Sequence, residues 1–263
     1  WICAQIRKVY DIYLPGWKED GNKLLEVDSV PDDELAAAHA KRKRILLGYA
    51  NAQVQKALSR NTLTIGFARR AATYKRAHLL FKDLERLVNI CQGQVQFIFA
   101  GKAHPKDDQG KEIIQEIVAN ANELYGKVKV IFLENYNMWL GRMITSGVDV
   151  WLNTPLRPNE ASGTSGMKAA MNGVPNLSVL DGWWPEACNH GINGWAIGNP
   201  KTPDDEADAN HLYELLENDV IPLYYENPSQ WIAMMKSAIK IGVQFTAQRM
   251  VREYKEKYYQ KVN

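Results

Sequence analysis

The sequence predicts an α/β fold, in which helices flank a parallel sheet on both faces, and three observations lead to that prediction. Short apolar runs of strand length recur through the middle of the chain, and amphipathic stretches of helical period separate them. The runs are closely spaced, as in sheets whose parallel strands are joined by crossover helices. Glycine-bearing or charged loops follow several of the runs, at the positions where such sheets carry their ligands.

The individual elements follow from the local patterns. Apolar runs predict strands at 63–67, 95–101, 127–135, 148–155 and 174–180, with a candidate sixth at 195–198. Apolar stripes predict helices between them at 75–91, 108–125, 137–147 and 164–173. Strong helix formers predict a helix at 32–58, and the pattern is helical again from about residue 203 onward. We therefore predict a helical segment over residues 1–60 and a Rossmann-like unit over residues 61–263 that ends in helices.

Composition excludes several classes of function. The chain has 32 Lys and Arg against 30 Asp and Glu, so it lacks the strong positive charge of nucleic-acid-binding domains. The basic run at 41–44 is typical of a solvated helix surface. Cys3, Cys91 and Cys188 are isolated and odd in number, which predicts neither zinc nor disulfides and favours a reducing, cytoplasmic location. The histidines lack a second ligand at metal-binding spacing, and no apolar run approaches the ~20 residues of a membrane span.

A cluster of cations directly follows the first predicted strand. Arg69 and Arg70 lie in the loop after Phe67, and Lys75 and Arg76 follow a few residues later. Arginine binds phosphate as a planar fork and lysine binds it as a point charge. A solvated charge cluster is the alternative interpretation, but the carboxyl end of a strand is where ligands bind in such sheets.

The segment EASGTSGMKAAMNG places a single lysine at the start of a predicted helix. Gly163 and Gly166 allow close approach of the backbone to a ligand, and Thr164 and Ser165 offer hydroxyls beside it. Burial lowers the pKa of a lysine amine such as Lys168, and a neutral amine attacks aldehydes to form an imine. Lysine, hydroxyls and an anion-binding turn together suggest pyridoxal phosphate. The residues alone leave equally open a surface lysine after an ordinary glycine turn.

This segment resembles the pyridoxal-phosphate signature of the α-glucan (glycogen, starch and maltodextrin) phosphorylases. The segments TIGFARRAATYKRA, FIFAGKAHPKDDQGK, FLENY and LDGWWPE also resemble that family, in its short bacterial and archaeal form and in the same order. The resemblance runs from about residue 10 to the end of the chain. It implies transfer of a terminal glucosyl unit from an α-1,4-glucan to inorganic phosphate, which gives α-glucose 1-phosphate with retained configuration. The cofactor implied is pyridoxal 5′-phosphate, whose phosphate acts as the acid or base.

The resemblance also implies roles for individual residues. It makes Lys168 the lysine that carries the cofactor and Arg69 a contact of the cofactor phosphate. It makes Arg70 and Lys75 the pair that holds the substrate and cofactor phosphates. Together with Glu160, which holds a sugar hydroxyl, these two are the implied catalytic residues.

The remaining implied contacts lie in two loops. The implied contacts of the glucosyl hydroxyls are Ser162 and Gly163, and those of the cofactor are Tyr136, Gly163, Thr164 and Ser165. Many relatives have Gly where Ser165 stands, and a Ser fits there only if its φ is negative.

Two other functions compete with this one. A retaining nucleotide-sugar glycosyltransferase, such as a glycogen synthase, places a second Glu eight positions after the first, where this chain has Lys168 after Glu160. A non-catalytic glucan-binding module would use aromatic rings to stack on sugars. Its candidates are Trp139, Trp183 and Trp184, although packing in the core or at an interface is the more common role of such a residue.

The chain begins on Trp1, and we expect it to be a piece of a longer protein. The resemblance implies a two-lobed glycosyltransferase architecture, with residues 1–60 connecting to an N-terminal lobe and residues 61–263 forming the cofactor-binding lobe. We expect the isolated chain to have little or no activity. We also expect exposed apolar surface at Trp231, Met234, Met235 and Phe245, which would favour a homo-oligomer.

Overall fold

One parallel sheet forms the centre of the protein, as the sequence predicts. The computed structural model describes residues 1–54 and 57–259. The strands are β1 (Leu63–Arg70), β2 (Val95–Lys102), β3 (Lys129–Leu133), β4 (Val150–Asn153), β5 (Asn176–Val179) and β6 (Gly194–Ile197). They lie in the order β3-β2-β1-β4-β5-β6, and every neighbouring pair is parallel. The α/β prediction is confirmed, and the candidate sixth strand is part of the sheet.

Helices join the strands and extend the chain at both ends. Two precede the sheet, α1 (Ala4–Tyr13) and α2 (Asp32–Gln53). Those within the sheet region are α3 (Leu84–Cys91), α4 (Asp108–Glu123), α5 (Met138–Gly147), α6 (Thr164–Ala170) and α7 (Trp184–Ala187). The C-terminal ones are α8 (Asp205–Leu215), α9 (Ile221–Glu226), α10 (Pro228–Gly242) and α11 (Ala247–Tyr254).

Side-chain caps fix where the crossover helices begin. The side chains of Asp83, Asp107 and Asn137 each accept a hydrogen bond of 2.9 Å from the backbone N–H three residues later. Such caps satisfy donors that the first turn of a helix leaves free. The polar loops at this edge of the sheet are thereby confined between the end of a strand and a capped helix.

Apolar side chains cover both faces of the sheet. Along β2, Phe97 and Phe99 pack into one core cluster, whereas Ile98 and Ala100 pack into a second cluster. This alternation follows from the two-residue period of a strand. The sheet therefore lies between two apolar layers.

The strand order reverses between β1 and β4. β1 pairs with β2 on one side and with β4 on the other, where Ile65 and Gly66 align with Val150 and Trp151. In open α/β sheets a crevice forms at the carboxyl ends of the strands where the order reverses. The loops after β1 and β4, which hold the predicted site residues, meet at this crevice.

Some predicted helices have different bounds. The stretch 75–91 is not one helix, because Ala77–Phe81 is a 3-10 turn and α3 begins only at Leu84. The predicted helix is interrupted at Asp83, whose side chain accepts from the N–H of Arg86 and caps the start of α3. The helix predicted at 32–58 ends at Gln53; residues 55 and 56 lie outside the described residues, and 57 and 58 are not helical.

The prediction of a solvated run at 41–44 is wrong for Lys43, although Lys41 and Arg44 are exposed, and the prediction of exposed apolar side chains near the C-terminus is wrong. Lys43, in the basic run at 41–44, is 3% exposed, and its amine donates to Asp149 Oδ2 at 2.5 Å. A buried carboxylate thus draws one of four cations into the core. The apolar side chains predicted to be exposed near the C-terminus are instead packed: Trp231, Met234 and Met235 are buried, and Phe245 is half-buried.

Among the described residues, no helix is both long and apolar enough to cross a membrane.

Candidate active site

An ion cluster joins the loops after β1 and β4. Arg69, at the end of β1, donates to the side-chain oxygen of Asn153 at the end of β4. Arg69 also donates to Glu160 Oε2 at 2.6 Å, and the amine of Lys75 donates to the same oxygen. All three charged side chains are at least nine-tenths buried. The structure therefore brings together three of the predicted site residues across the point where the strand order reverses.

The cluster holds Glu160 as a carboxylate and retains excess positive charge. Burial alone would raise the pKa of the Glu160 carboxyl, but Arg69 and Lys75 outweigh burial and leave the pKa below its ordinary value. Two cations face one carboxylate, and buried charges are costly unless they are paired. Glu160 can neutralise only one of the two positive charges, so the cluster can accept an anion that neutralises the other.

The loop after β5 supports the loop that carries Glu160. Asp181 Oδ2 accepts from the backbone N–H of Glu160 at 2.8 Å, and the N–H of Trp183 donates to the carbonyl of Ser162 at 2.9 Å. Gly182 has a φ of +61°, and a Cβ there would lie 2.6 Å from the Ser162 carbonyl oxygen. A side chain at Gly182 would thus displace the segment that holds Glu160 and Ser162.

Lys168 lies in a cavity, with its amine over an aromatic ring. The cavity has a volume of about 620 Å³, and its lining includes Ser162, Thr164, Met167 and Trp1. The Lys168 amine is 3.8 Å from the centroid of the Trp1 ring. Burial lowers the pKa of this amine, and no carboxylate in the described part of the chain contributes to the shift. A neutral lysine is therefore more accessible here than at an ordinary surface position.

A left-handed glycine starts the helix that carries this lysine. Gly163 caps α6 with a φ of +77°, a conformation that side chains rarely adopt. Thr164 is exposed and Ser165 is half-buried in the first turn. Ser165 is not among the residues with positive φ, so the condition for a serine in place of glycine is met.

The other predicted site residues lie at the same edge of the sheet, with different surroundings. The hydroxyl of Tyr136 donates to the Ala68 carbonyl at 3.4 Å, directly before Arg69. Arg70 is exposed, and its side chain forms no ion pair within the described ranges. No described contact joins Lys168 to the ion cluster directly. The segment Glu160–Gly163 links the two, because its first residue belongs to the ion cluster and Ser162 lines the lysine cavity.

Sequence reasoning missed three residues of this region, Trp1, Asn153 and Asp181, and did not predict the partners of a fourth, Arg76. Asp181 directly follows β5, so the rule that charged loops follow strands could have found it. Arg76 belongs in the sequence to the cation cluster after β1, but it is 2% exposed. Nothing in the local pattern marks Trp1 or Asn153.

The tryptophans proposed for sugar stacking are mostly inside the protein. Trp183 and Trp184 are 3% and 0% exposed, which leaves no ring face for a glucan. Trp139 is 54% exposed and packs edge-on against Tyr49, with ring centroids 4.9 Å apart. His104 is exposed after β2, and no cluster of metal-binding side chains occurs in the part of the chain that the structure describes.

Comparison with known proteins assigns the family. The profile for the carbohydrate phosphorylases matches residues 8–189. The chain is 46% identical to maltodextrin phosphorylase of Thermococcus litoralis, over 99% of this chain and 34% of that protein. It is 44% identical to glycogen phosphorylase of Aquifex aeolicus, over 100% of this chain and 42% of that protein. Against glycogen phosphorylase of Mycobacterium tuberculosis, identity is 45% over 76% of this chain and 25% of that protein. The chain thus spans well under half the length of these relatives, and it belongs to the carbohydrate phosphorylase family.

Proposed function

We propose that this chain is the cofactor-bearing part of an α-1,4-glucan phosphorylase, which transfers terminal glucosyl units from glucan to inorganic phosphate and releases α-glucose 1-phosphate. Its relatives are named maltodextrin and glycogen phosphorylase. The observation that carries the proposal is the buried cluster of Arg69, Lys75 and Glu160, one short segment away from the cavity of Lys168. Because the chain spans less than half the length of these relatives, we propose that a further lobe completes the sugar site.

The residues present fit pyridoxal 5′-phosphate. An aldehyde reacts with a lysine that is neutral part of the time, and burial lowers the pKa of the Lys168 amine. The amine lies over an aromatic ring and forms no ion pair with a carboxylate of the described residues, so no such pair must be broken first. The cavity of about 620 Å³ lies within the usual range for cofactor sites, about 300–1,000 Å³. Bound there, the cofactor would supply an aldehyde for attachment and a phosphate able to exchange a proton.

The cation cluster would bind and orient the phosphate groups. Two phosphates in one pocket repel each other, so several preorganised cations are needed to hold them together. Arg69 offers a guanidinium fork, Lys75 a point charge, and Arg70 an exposed cation beside them. An arriving phosphate competes with Glu160 for Lys75, which frees the carboxylate to accept a hydrogen bond from a sugar hydroxyl. We propose Ser162 and Gly163 as further sugar contacts, and Tyr136, Thr164 and Ser165 as contacts of the cofactor.

We propose a cytoplasmic location for this activity. All three cysteines are free thiols, and Cys3 and Cys91 are buried. Burial raises the pKa of the Cys91 thiol to about 12, so this side chain is unreactive at neutral pH. Free thiols of this kind fit a reducing compartment.

The test is phosphorolysis by the full-length protein that carries this sequence. With maltodextrin and phosphate it is expected to release the α anomer of glucose 1-phosphate, and Lys75→Met and Lys168→Arg should abolish that release. Lys111→Met removes an exposed lysine of α4 and should leave the rate unchanged. Glucosyl transfer from a nucleotide sugar, with none to phosphate, would instead identify the competing glycosyltransferase.

The same assay tests the need for a further lobe. We expect little or no release of glucose 1-phosphate by the 263-residue chain alone. Turnover by the isolated chain at the full-length rate would contradict this part of the proposal.

A further inference from the structure

Arg76 is a buried arginine in a left-handed backbone conformation. Its φ and ψ are 46° and 47°, and it is 2% exposed. Residues other than Gly and Asn rarely adopt the left-handed region of φ and ψ. An arginine in this conformation indicates that the contacts of its side chain offset the backbone strain. Its Nε donates to the Thr154 carbonyl at 3.0 Å, and Nη2 donates to the Pro155 carbonyl at 3.0 Å.

The guanidinium also binds two carboxylates of α8. Nη2 of Arg76 donates to Asp208 Oδ2 at 2.7 Å, and Nη1 donates to Asp205 Oδ1 at 2.9 Å. Asp208 is 2% exposed, and a Cβ at Gly198 would collide with its Oδ1. Every nitrogen of this guanidinium therefore has a partner within the protein, unlike the exposed side chain of Arg70.

Further hydrogen bonds join the two segments that Arg76 connects. The backbone N–H of Leu156 donates to the Tyr74 carbonyl at 2.6 Å. The hydroxyl of Thr154 lies 3.0 Å from the carbonyl oxygens of both Lys75 and Arg76. Residues 74–76 and 154–156 thus form one hydrogen-bonded unit, which presents Lys75 from one side.

Glu160 follows the second segment of that unit. Only residues 157–159 separate it from Leu156, and its oxygen accepts from the Lys75 amine. The contact between Lys75 and Glu160 therefore depends on how the two segments are aligned. The Arg76 side chain joins the second segment to the buried carboxylate of Asp208.

We propose that Arg76, held by Asp208, is a positioning residue for phosphate binding; this inference rests on the proposed function. Arg76 is placed to act without touching phosphate or sugar, because it is 2% exposed and each of its three side-chain nitrogens donates inside the protein. Its role is to fix the three-residue turn Thr73–Lys75 so that the Lys75 amine stays aligned with Arg69 and Glu160. The side chain of a lysine is flexible, so the position of its amine depends on how the backbone that carries it is held.

The test compares two buried carboxylates at opposite edges of the sheet. Asp208→Asn weakens the anchor of Arg76. Asp149→Asn is the matched control, because Asp149 is 3% exposed and binds Lys43 at the amino end of β4. For each full-length variant, isothermal titration calorimetry with inorganic phosphate gives the Kd, steady-state kinetics give the KM for phosphate and for maltodextrin, and calorimetry gives the melting temperature.

Asp208→Asn is expected to raise the Kd and KM for phosphate by about 10- to 100-fold, which is the effect of losing one charge-assisted hydrogen bond from a misaligned Lys75. The KM for maltodextrin should stay unchanged. Asp149→Asn should lower the melting temperature and leave the phosphate Kd unchanged. Equal changes of phosphate Kd in both variants, or none in Asp208→Asn, would overturn the proposal.

A second variant covers the case in which Asp208→Asn does not fold. Arg76→Lys keeps a positive charge for Asp208 but cannot make all the hydrogen bonds of a guanidinium, so it should weaken phosphate binding in the same direction. Unchanged phosphate affinity in a folded Arg76→Lys protein would also overturn the proposal. A wild-type protein that binds phosphate but releases no glucose 1-phosphate would refute the proposed function alone, and the affinity comparison would still decide the role of Arg76.

Discussion

Replacing Glu160 with Gln changes the balance of charge in the ion cluster without changing its shape. The side chains of Glu160, Arg69 and Lys75 are 8%, 7% and 8% exposed, so water screens them little. Glu160→Gln leaves both cations in place and removes the carboxylate that they share. We expect the variant to be less stable, to bind inorganic phosphate more tightly than the wild type, and to lose glucosyl transfer.

The loss of stability can be estimated from these contacts. Removing one partner of a buried ion pair costs about 3–5 kcal/mol. Gln keeps one oxygen as an acceptor, and a neutral hydrogen bond returns about 0.5–1.5 kcal/mol. The free energy of unfolding should therefore fall by about 2–4 kcal/mol in buffer without phosphate.

Phosphate and pH should each reduce this difference. Phosphate at about 100 times its Kd stabilises the folded state by about 2.7 kcal/mol, and the variant, whose cations are free, should gain more than the wild type. The folded-state pKa of Glu160 is lowered, so its stabilising effect is present above the ordinary pKa of about 4.3 and is lost as pH falls through the lowered pKa. The two proteins should then converge in stability in acid.

Thermal unfolding by calorimetry, with and without phosphate, measures these differences. The matched control is Glu134→Gln, which alters an exposed glutamate just after β3 at the same edge of the sheet and should change nothing. Equal stability of Glu160→Gln and wild type without phosphate would refute the ion-pair estimate. Equal stabilisation of both by phosphate would refute the idea that Glu160 and phosphate compete for the same cations.

Three further predictions concern groups around the site and at the far edge of the sheet. In Asp181→Asn, the new amide N–H₂ faces one of the backbone N–H groups of Glu160 and Gly182, so one hydrogen bond is lost. Steady-state kinetics should show a lower kcat/KM for maltodextrin, and calorimetry should show that the free energy of unfolding falls by about 1–3 kcal/mol. Burial lowers the folded-state pKa of Lys168, so the unfolded chain binds more protons than the folded one. Urea titrations without cofactor should therefore show that the wild type gains stability relative to Lys168→Met as pH rises toward about 10. Lys43→Met should cost about 3–5 kcal/mol in urea unfolding by leaving Asp149 short of its cation, and a phosphate titration should show the Kd unchanged.

The sheet could be predicted from the sequence because its signals are local. Each apolar run is buried on both faces, so its pattern does not depend on which strand lies beside it. The bounds of α3 could not be predicted, because the apolar stripe continues without a break through Leu80 and Leu84. The structure instead has a 3-10 turn over Ala77–Phe81, which begins after the left-handed residue Arg76. The carboxylate partners of Arg76 lie on α8, and Asp208 is 132 positions away in the chain.

The candidate site shows the same limit. The carboxyl ends of parallel strands meet at one edge, so the sequence sufficed to predict that the loops after β1 and β4 lie together. It could not distinguish among four neighbouring cations. Arg69 and Lys75 bind Glu160, Arg76 binds α8, and Arg70 is exposed, although all four look alike in the sequence. Burial of Lys43 depended likewise on Asp149, which lies 106 positions away.

Covalent labelling of Lys168 tests the central claim most directly. The full-length protein is incubated with pyridoxal 5′-phosphate, reduced with borohydride and digested, and the modified peptide is sequenced by mass spectrometry. We predict that the label lies on Lys168, within the peptide that spans 159–173, and that Lys168→Arg abolishes it while Lys111→Met does not. A label on another lysine, or undiminished labelling of Lys168→Arg, would contradict the assignment of this cavity as the cofactor site.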